Sequence, residues 1–260
     1  MTQSHILLID THAHLCDDRF TPDLSAVIDR AQQAGVETII AVSETLQDAH
    51  KTLEMAKKDQ RIRPALGLYP GYANRDDCLK MVELIKQNRD DIIAIGEVGL
   101  DYKIAREAQQ QSLQRDVFTA MIRLAKREDL PLNVHSRSAE ADTVKILLDN
   151  AATRVQLHAF HGKHKIALRA VDAGYFISIP ASVVRSGQLQ ELAAKIPMDN
   201  LLLETDSPVM SPFPDQRNEP CNIVPALPVL AKIKGVSEQQ CRTQLWENCL
   251  RLYGPAIQAC

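Results

Sequence analysis

The sequence predicts a single α/β domain over residues 1–260, folded as a (β/α)₈ TIM barrel. Three observations lead to this prediction. Eight short apolar runs rich in β-branched residues recur along the chain, and amphipathic stretches of helical period separate them. The length of 260 residues is also normal for one barrel.

The eight runs are apolar at nearly every position, which is typical of parallel strands that are covered on both faces. We expect strands at Ile6–Asp10, Val36–Val42, Arg63–Leu68, Ile92–Glu97, Leu130–His135, Arg154–His158, Tyr175–Ile179 and Asn200–Glu204. Eight βα units without a long linker favour a closed barrel. A doubly wound open sheet is the structural alternative, because strands are counted here from sequence.

The stretches between the runs predict helices. In one of them, Leu113, Val117 and Met121 recur at four-residue steps and form one apolar face. The clearest predicted helices are Leu24–Ala34, Gln110–Glu128, Val224–Ile233 and Ser237–Leu252. A proline-rich loop with Pro208, Pro212, Pro214 and Pro220 precedes the last two helices. Because proline fixes backbone angles, we expect this loop to form an ordered wall of the site.

Composition excludes several classes of protein. The net charge of −3 gives no overall attraction to nucleic acid, so any such binding needs a local basic patch. The six cysteines form no CxxC pair, and no signal peptide or apolar run of membrane-spanning length is present. We therefore expect a cytoplasmic protein that is a monomer or weak oligomer and has no membrane partner.

Ligand-type side chains lie where the predicted strands end. His12 and His14 occupy positions i and i+2, which point to the same side of extended backbone. Alone, this pair is equally consistent with two surface histidines. Strands four, five, six and eight end at or near four further candidates: Glu97, His135, His158 and Asp206. Because a barrel brings its strand ends to one rim, where barrel active sites lie, the six residues together predict a metal site.

Five ordered sequence blocks surround these residues: DTHAH at 10–14, GEVGLD at 96–101, NVHSR at 133–137, LHAFHG at 157–162 and ETDSP at 204–208. The sequence resembles the TatD family of metal-dependent hydrolases, which includes TatD-type deoxyribonucleases, and the match extends to RNEP at 217–220. The resemblance implies a TIM barrel with two divalent metal cations per chain. It assigns His12 and His14 to one ion and His135 and His158 to the other, with Glu97 as the bridge.

One block departs from the family pattern. Many members carry glycine-any-histidine-proline after the third strand, whereas this chain has tyrosine in the histidine's place, at Tyr69. Tyrosine is a poor metal ligand at neutral pH while its pKa stays near 10. If the family's histidine contacts substrate, substrate choice differs here. Metal binding should survive, because the six candidate ligands do not include this position.

The expected chemistry is hydrolysis of a phosphodiester by metal-activated water. Two cations about 3.5–4 Å apart can share a carboxylate and a water, whose pKa falls toward about 7. Glu97 suits the role of the shared carboxylate, because each of its two oxygens can bind one ion. The resemblance places Asp206 beside the first ion, where it would remain ionised and could take the proton from the attacking water. Glu97 and Asp206 are therefore the catalytic candidates.

The metals are expected to be zinc, manganese or magnesium. Four histidine ligands favour a transition metal, since magnesium usually prefers oxygen. The family resemblance implies that the enzyme is a metal-dependent deoxyribonuclease, with DNA as a substrate rather than a partner in a stable complex.

Several basic residues follow the ends of strands five to eight: Arg137, Lys163, Lys165, Arg185 and Arg217. Because guanidinium forks suit phosphate, we expect Arg137 and Arg217, together with Asn218, to bind substrate. Lys163 and Lys165 are better interpreted as an ordinary solvated face.

Two aspartates, Asp10 and Asp101, are candidates to orient ligand histidines, with helix caps or core hydrogen bonds as the alternatives. Cys16 lies near the ligands without a partner cysteine and is interpreted as packing. His161 and His164 are expected to be exposed loop residues, and His161 is a weak candidate for contact with substrate.

Two other functions stay open at this point. One keeps the metals but changes the bond to a small phosphoester, an amide or an aminoacyl ester, as in a D-aminoacyl-tRNA deacylase. The other is a binding module with structural metals. Structural zinc sites normally close their coordination with four protein ligands, whereas six ligands shared by two ions leave room for water. This arrangement favours an enzyme.

Overall fold

A computed structural model of the chain describes residues 8–254 and 257. Within these residues, eight parallel strands form one sheet in sequence order. The strands are β1 (Leu8–Ala13), β2 (Val36–Val42), β3 (Ile62–Leu66), β4 (Ala94–Asp101), β5 (Leu132–Arg137), β6 (Val155–Leu157), β7 (Phe176–Pro180) and β8 (Leu201–Glu204). The predicted (β/α)₈ barrel is confirmed, and the start of the first predicted strand at Ile6 lies outside the described residues.

Helices alternate with these strands and cover the sheet. They are α1 (Leu24–Gln33), α2 (Leu46–Lys58), α3 (Arg75–Gln87), α4 (Ala108–Glu128), α5 (Glu140–Asp149), α6 (His164–Asp172), α7 (Gly187–Lys195), α8 (Ala226–Lys234) and α9 (Glu238–Tyr253). The four helices predicted above are present, with ends that differ by one or two residues. Ser237, expected inside the last helix, is instead its N-cap and forms a capping box with Gln240.

The barrel closes between β1 and the segment directly after β8. The backbone N–H of Asp206 donates to the carbonyl of His12 at 2.9 Å, and the N–H of His14 donates to the carbonyl of Ser207 at 2.8 Å. Ala13 and Ser207 form a parallel bridge between these bonds. The candidate ligands His12 and His14 are thus tied by backbone hydrogen bonds to the segment that carries Asp206.

Buried apolar side chains form two clusters. The larger contains side chains from both strands and surrounding helices, including Phe118 of α4 and Leu192 of α7. The smaller contains strand side chains such as Ile40 and Leu202, together with Leu252 and Tyr253 from the end of α9. Full burial of one such aliphatic side chain contributes about 1.5–3 kcal/mol to the free energy of folding. The two clusters together therefore stabilise the barrel that positions the strand ends.

The proline-rich loop after β8 is held by specific contacts. The buried amide of Asn218 donates to the carbonyls of Thr205 and Val209, both at 2.8 Å. A 3₁₀ turn, Pro220–Ile223, follows and leads toward α8. The described part of the chain contains no helix that is both long and apolar enough to span a membrane.

Candidate metal centre

The strands deliver the six candidate ligands to one end of the barrel. His12 lies within β1 and His14 follows its last residue. His135 lies within β5, and His158 directly follows β6. Asp206, two residues past β8, has a left-handed backbone with φ of 54°, which aspartate tolerates better than most residues.

Glu97 does not end its strand, contrary to the prediction. β4 continues four residues further to Asp101, because its second half pairs with β5 from Val98 to Asp101. This pairing requires Gly99, whose φ is 145° and where a Cβ atom would lie 2.0 Å from the carbonyl oxygen of His135. The second glycine of the GEVGLD block is thus explained by close approach of two strands.

The first ligand group contains two imidazole nitrogens and two carboxylate oxygens. The Nε2 atoms of His12 and His14 lie 3.2 Å apart. Oδ1 of Asp206 lies 3.7 Å from the first and 3.3 Å from the second. Oε2 of Glu97 lies 3.8 and 3.6 Å from the same two nitrogens. Four ligand atoms from three elements therefore surround one small volume.

The second ligand group lies around the other oxygen of the same glutamate. Oε1 of Glu97 is 2.6 Å from Nδ1 of His135 and 2.9 Å from Nε2 of His158. Those two ring nitrogens are 3.0 Å apart. Glu97 therefore places one carboxylate oxygen in each group.

These residues fit a divalent metal. Oε2 of Glu97 is buried and accepts no hydrogen bond from any described residue, which is costly for a carboxylate oxygen without a cation. Three sets of side chains are close enough to hold an ion: His12 with His14 and Glu97; His12 with His158 and Glu204; and Glu97 with His135 and His158. Nitrogen and carboxylate donors in this mixture suit zinc, manganese or iron.

A partner behind His12 fixes which of its nitrogens faces the centre. Nδ1 of His12 lies 2.9 Å from Oδ1 of Asn133, whose amide nitrogen donates to the carbonyl of Thr11 at 3.0 Å. The amide orientation makes Nδ1 of His12 the donor, so Nε2 is left with a free lone pair. Such partners of a ligand histidine set its tautomer and raise its basicity. Asn133 was not among the predicted site residues.

Carboxylates lie behind the second ligand group, without a hydrogen bond to either imidazole. Oδ2 of Asp101 lies 3.4 Å from Nε2 of His135 and accepts a hydrogen bond of 2.7 Å from the phenol of Tyr69. Oε1 of the fully buried Glu204 lies 3.7 Å from Nδ1 of His158. The position of Asp101 agrees with its expected orienting role, whereas Glu204 was missed.

Asp10 makes core hydrogen bonds, the alternative given for it above, and does not orient a ligand histidine. Its carboxylate accepts from the N–H of Thr205 at 2.8 Å and from the hydroxyl of the same residue, and it lies 3.4 Å from the backbone N–H of His12. It therefore ties the backbone of β1 to the end of β8 rather than contacting an imidazole ring. Burial raises the pKa of Asp10 to about 8, despite these hydrogen bonds.

The charges within the centre set unusual protonation states. Burial alone lowers the pKa of His14, but the hydrogen bond to Asp206 and the neighbouring carboxylates raise it to about 9. For His12 burial prevails, and its pKa falls to about 4. Burial alone would raise the pKa of Glu97, yet His158 and His135 hold it well below its usual range. Asp206 likewise has a lowered pKa, because the nearby histidines outweigh its burial.

The three residues expected to bind substrate are in different environments. Arg137 is exposed and lines an open cavity beside His135 and His158. The guanidinium of Arg217 instead makes two 2.8 Å hydrogen bonds to Asp23. Asn218 is fully buried and holds the proline-rich loop, so its side chain offers no surface to a substrate.

Two cavities open on the ligand groups and are separated by the exposed side chain of Val209. The His135-side cavity, of about 610 Å³, is lined by both histidines of the second group and by Asp206. The His14-side cavity, of about 520 Å³, is lined by His14 and the turn that follows β1. Val209 borders both cavities, which confirms that the proline-rich loop forms part of the site's wall.

Comparison with known proteins agrees with this geometry. The sequence model of the family described as TatD related DNase matches residues 9–254. Human deoxyribonuclease TATDN3 is 37% identical to the chain over 265 residues, which cover 97% of each protein. The metal-dependent hydrolase YabD of Bacillus subtilis is 32% identical over 256 residues, 95% of this chain and 99% of the relative. The crystal structure of the TatD homologue YjjV from Escherichia coli K12 superposes with a TM-score of 0.88, at 30% identity and with 95% and 97% of the two chains covered.

Proposed function

Because the chain belongs to the TatD family of metal-dependent hydrolases, we propose that it is a two-metal deoxyribonuclease that cleaves phosphodiester bonds with an activated water. As its relatives are named deoxyribonucleases and metal-dependent hydrolases, the chain is an enzyme that hydrolyses ester bonds. One observation carries the finer proposal: Glu97 places one carboxylate oxygen in each of two ligand groups.

His12, His14 and Asp206 would hold one ion, His135 and His158 the other, and Glu97 both. When bound, such a pair supplies Lewis acidity for the phosphoryl group and for the attacking water. The histidines would contribute neutral nitrogen donors, and Asn133 fixes the orientation of His12 from behind. The protein thus provides a rigid centre rather than one assembled by the substrate.

Asp206 is the residue we propose as the proton acceptor. Its lowered pKa keeps it ionised at neutral pH, and it lines the His135-side cavity in which a substrate can lie. A carboxylate at this position can accept the proton of the attacking water. Asp206→Asn keeps a ligand oxygen but removes the basic site, and it should lower kcat by more than about tenfold while metal remains bound. Unchanged turnover would exclude Asp206 as the base.

Arg137 is the residue we propose for the phosphate. It follows His135 by two residues on the same face of β5 and is exposed beside the second ligand group. A guanidinium fork binds phosphate oxygens in pairs, which favours a phosphodiester over a neutral ester. Arg137→Lys should therefore raise KM more than it lowers kcat.

The decisive experiment is hydrolysis by metal-stripped protein that is reconstituted with zinc, manganese or magnesium. The substrates are single-stranded DNA, RNA, an aminoacyl-tRNA and a small phosphoester. Glu97→Ala is the inactive variant, and Glu191→Ala, on the exposed surface of α7, is the matched control. DNA cleavage that returns with metal, persists in the control and disappears in Glu97→Ala supports the proposal. Turnover of the aminoacyl ester without cleavage of DNA would contradict it.

A further inference from the structure

The His135-side cavity does not end at the ligand groups. His161 lines it and also lines a third cavity of about 350 Å³, which lies between the start of α6 and the start of α7. We call this the α6 cavity, and its lining is Phe160, His161, Gly162, Lys163, His164, Gln188, Leu189 and Leu192. The two cavities therefore adjoin at His161, and we refer to them together as the depression.

Among the described residues, the cationic side chains that line this depression have no carboxylate partner. Its cationic side chains are those of Lys103 and Arg137 in the His135-side cavity and Lys163 in the α6 cavity. All three are exposed, and none forms an ion pair with a carboxylate among residues 8–254. Apart from the candidate ligand Asp206, Glu140 carries the only acidic side chain among the described residues that line either cavity.

The cavity on the opposite side of Val209 has the reverse charge. The His14-side cavity is lined by four carboxylates and two cations: Asp17, Asp18, Glu44, Asp48, Arg19 and Lys51. Each cation is already paired with an aspartate of the same cavity, at 2.7 Å for Arg19 and 3.7 Å for Lys51. A polyanion is therefore repelled on this side of the centre and attracted on the other.

His161 stands at the junction with a defined orientation. It is exposed, and its Nδ1 donates to the carbonyl of Ala159 at 2.5 Å, so Nε2 is the ring nitrogen that this contact leaves free. The α6 cavity beyond it combines the ammonium of Lys163 with the apolar side chains of Phe160, Leu189 and Leu192. These apolar side chains are almost fully buried, so the feature that suits a nucleic-acid strand is the exposed ammonium of Lys163, which can pair with the anionic backbone.

We propose that a single DNA strand runs from the scissile phosphate through the His135-side cavity, over His161 and into the α6 cavity, and not into the His14-side cavity. This inference rests on the proposed nuclease function and adds the path of the substrate. Lys163 contacts a phosphate beyond the scissile one and therefore contributes to binding of a long strand, but not to binding of a single dinucleotide.

The test compares Lys163→Glu with Lys165→Glu. Both lysines are exposed and lie two residues apart, but only Lys163 lines the α6 cavity. The substrates are a dinucleotide and a strand of about ten nucleotides. Lys163→Glu should raise KM for the long strand about five- to tenfold, while kcat and the kinetics on the dinucleotide stay unchanged. The slope of the logarithm of the binding constant for the long strand against the logarithm of salt concentration should become shallower by about 0.7 or more. Lys165→Glu should leave all of these values within about twofold.

Binding of a fluorescent phosphorothioate decamer to the metal-loaded protein provides a readout that does not depend on cleavage. If Lys163→Glu binds the decamer more weakly than the unmodified protein and Lys165→Glu does not, the proposed path of the strand is supported, even if the natural substrate is not DNA. Equal binding by both variants overturns it, even if DNA is cleaved. If the unmodified protein cleaves neither the dinucleotide nor the decamer, the nuclease proposal fails separately from the path.

Discussion

The phenol of Tyr69 donates a hydrogen bond of 2.7 Å to Oδ2 of Asp101, the same oxygen that faces Nε2 of His135 at 3.4 Å. The tyrosine ring also packs edge-on against the imidazole, with 5.1 Å between ring centroids. Burial and the adjacent carboxylate of Asp101 raise the pKa of Tyr69, so the phenol remains a donor at any physiological pH. The residue that departs from the family pattern thus acts on a candidate ligand through its orienting carboxylate.

Removing this hydroxyl should weaken metal binding at the second ligand group. In Tyr69→Phe the carboxylate of Asp101 loses one donor and is free to rotate away from His135. Mutation of a residue that directly contacts a ligand histidine typically lowers metal affinity about 10–100-fold. Because Tyr69 acts through Asp101, we expect its replacement to lower metal affinity about three- to tenfold. Competition with a chelator measures the affinity. Tyr72→Phe, at an exposed tyrosine three residues away, is the control and should have the unmodified affinity.

A buried asparagine has the corresponding role at the first ligand group. Asn133→Ala should reduce metal affinity about 10–100-fold, because Nδ1 of His12 loses the acceptor that fixes its tautomer. The variant also leaves the carbonyl of Thr11 without one donor and should lose about 1–3 kcal/mol of stability.

Asn248→Ala separates these two effects. Asn248 is equally buried and donates to the carbonyls of Met198 and Leu201 rather than to a candidate ligand or its partner. We expect a similar loss of stability by thermal unfolding and unchanged metal affinity. If the two asparagine variants bound metal equally well, the orienting role of Asn133 would be excluded.

The success and the failure of the sequence predictions have a physical origin. Positions such as His135 and Asp206 were identifiable because a barrel brings every strand end to one rim, whatever the details of packing. Asn133 could have been found by the same geometry, since it lies two residues before His135 and so faces the same side of β5. Glu44 is likewise two residues past β2, the same offset as Asp206 past β8, and it lies 3.8 Å from His14.

The substrate residues show what sequence alone does not determine. Arg217 and Asn218 were selected because they are polar and lie in a family-like block, but their partners are distant in sequence. Arg217 hydrogen-bonds to Asp23, which is 194 residues away in sequence, and the side chain of Asn218 donates to the carbonyl of Thr205 directly after β8. The tertiary contact decides whether an arginine in a loop faces a substrate or a neighbouring helix.

Metal binding should strengthen as pH rises from 6 toward 9. In the metal-free protein His14 carries a proton at neutral pH, since its pKa is about 9, and the pKa values of His135 and His158 are raised as well. A metal must displace these protons, so its apparent affinity is lowest where the histidines are charged and increases until they are neutral. Calorimetry in two buffers of different ionisation enthalpy should show net proton release at pH 7 and less release at pH 9.5. A dissociation constant that stays the same between pH 6 and pH 8 would contradict these protonation states.

Arg217 should act on the structure of the loop rather than on the substrate. Its guanidinium makes two hydrogen bonds to Asp23 and lies 4.8 Å from the ring centroid of Phe20, so it ties the proline-rich loop to the segment before α1. Asp23 itself lies at the start of α1 and also pairs with Arg30. If the contact is structural, Arg217→Ala and Asp23→Ala should both lose it and lower the unfolding midpoint slightly, and Asp23→Ala also loses its pair with Arg30. The destabilisation of the double variant should be smaller than the sum of the two single effects. Steady-state kinetics distinguishes the alternative: a substrate-binding arginine would raise KM when replaced, whereas Asp23→Ala would free its guanidinium and leave KM unchanged or lower.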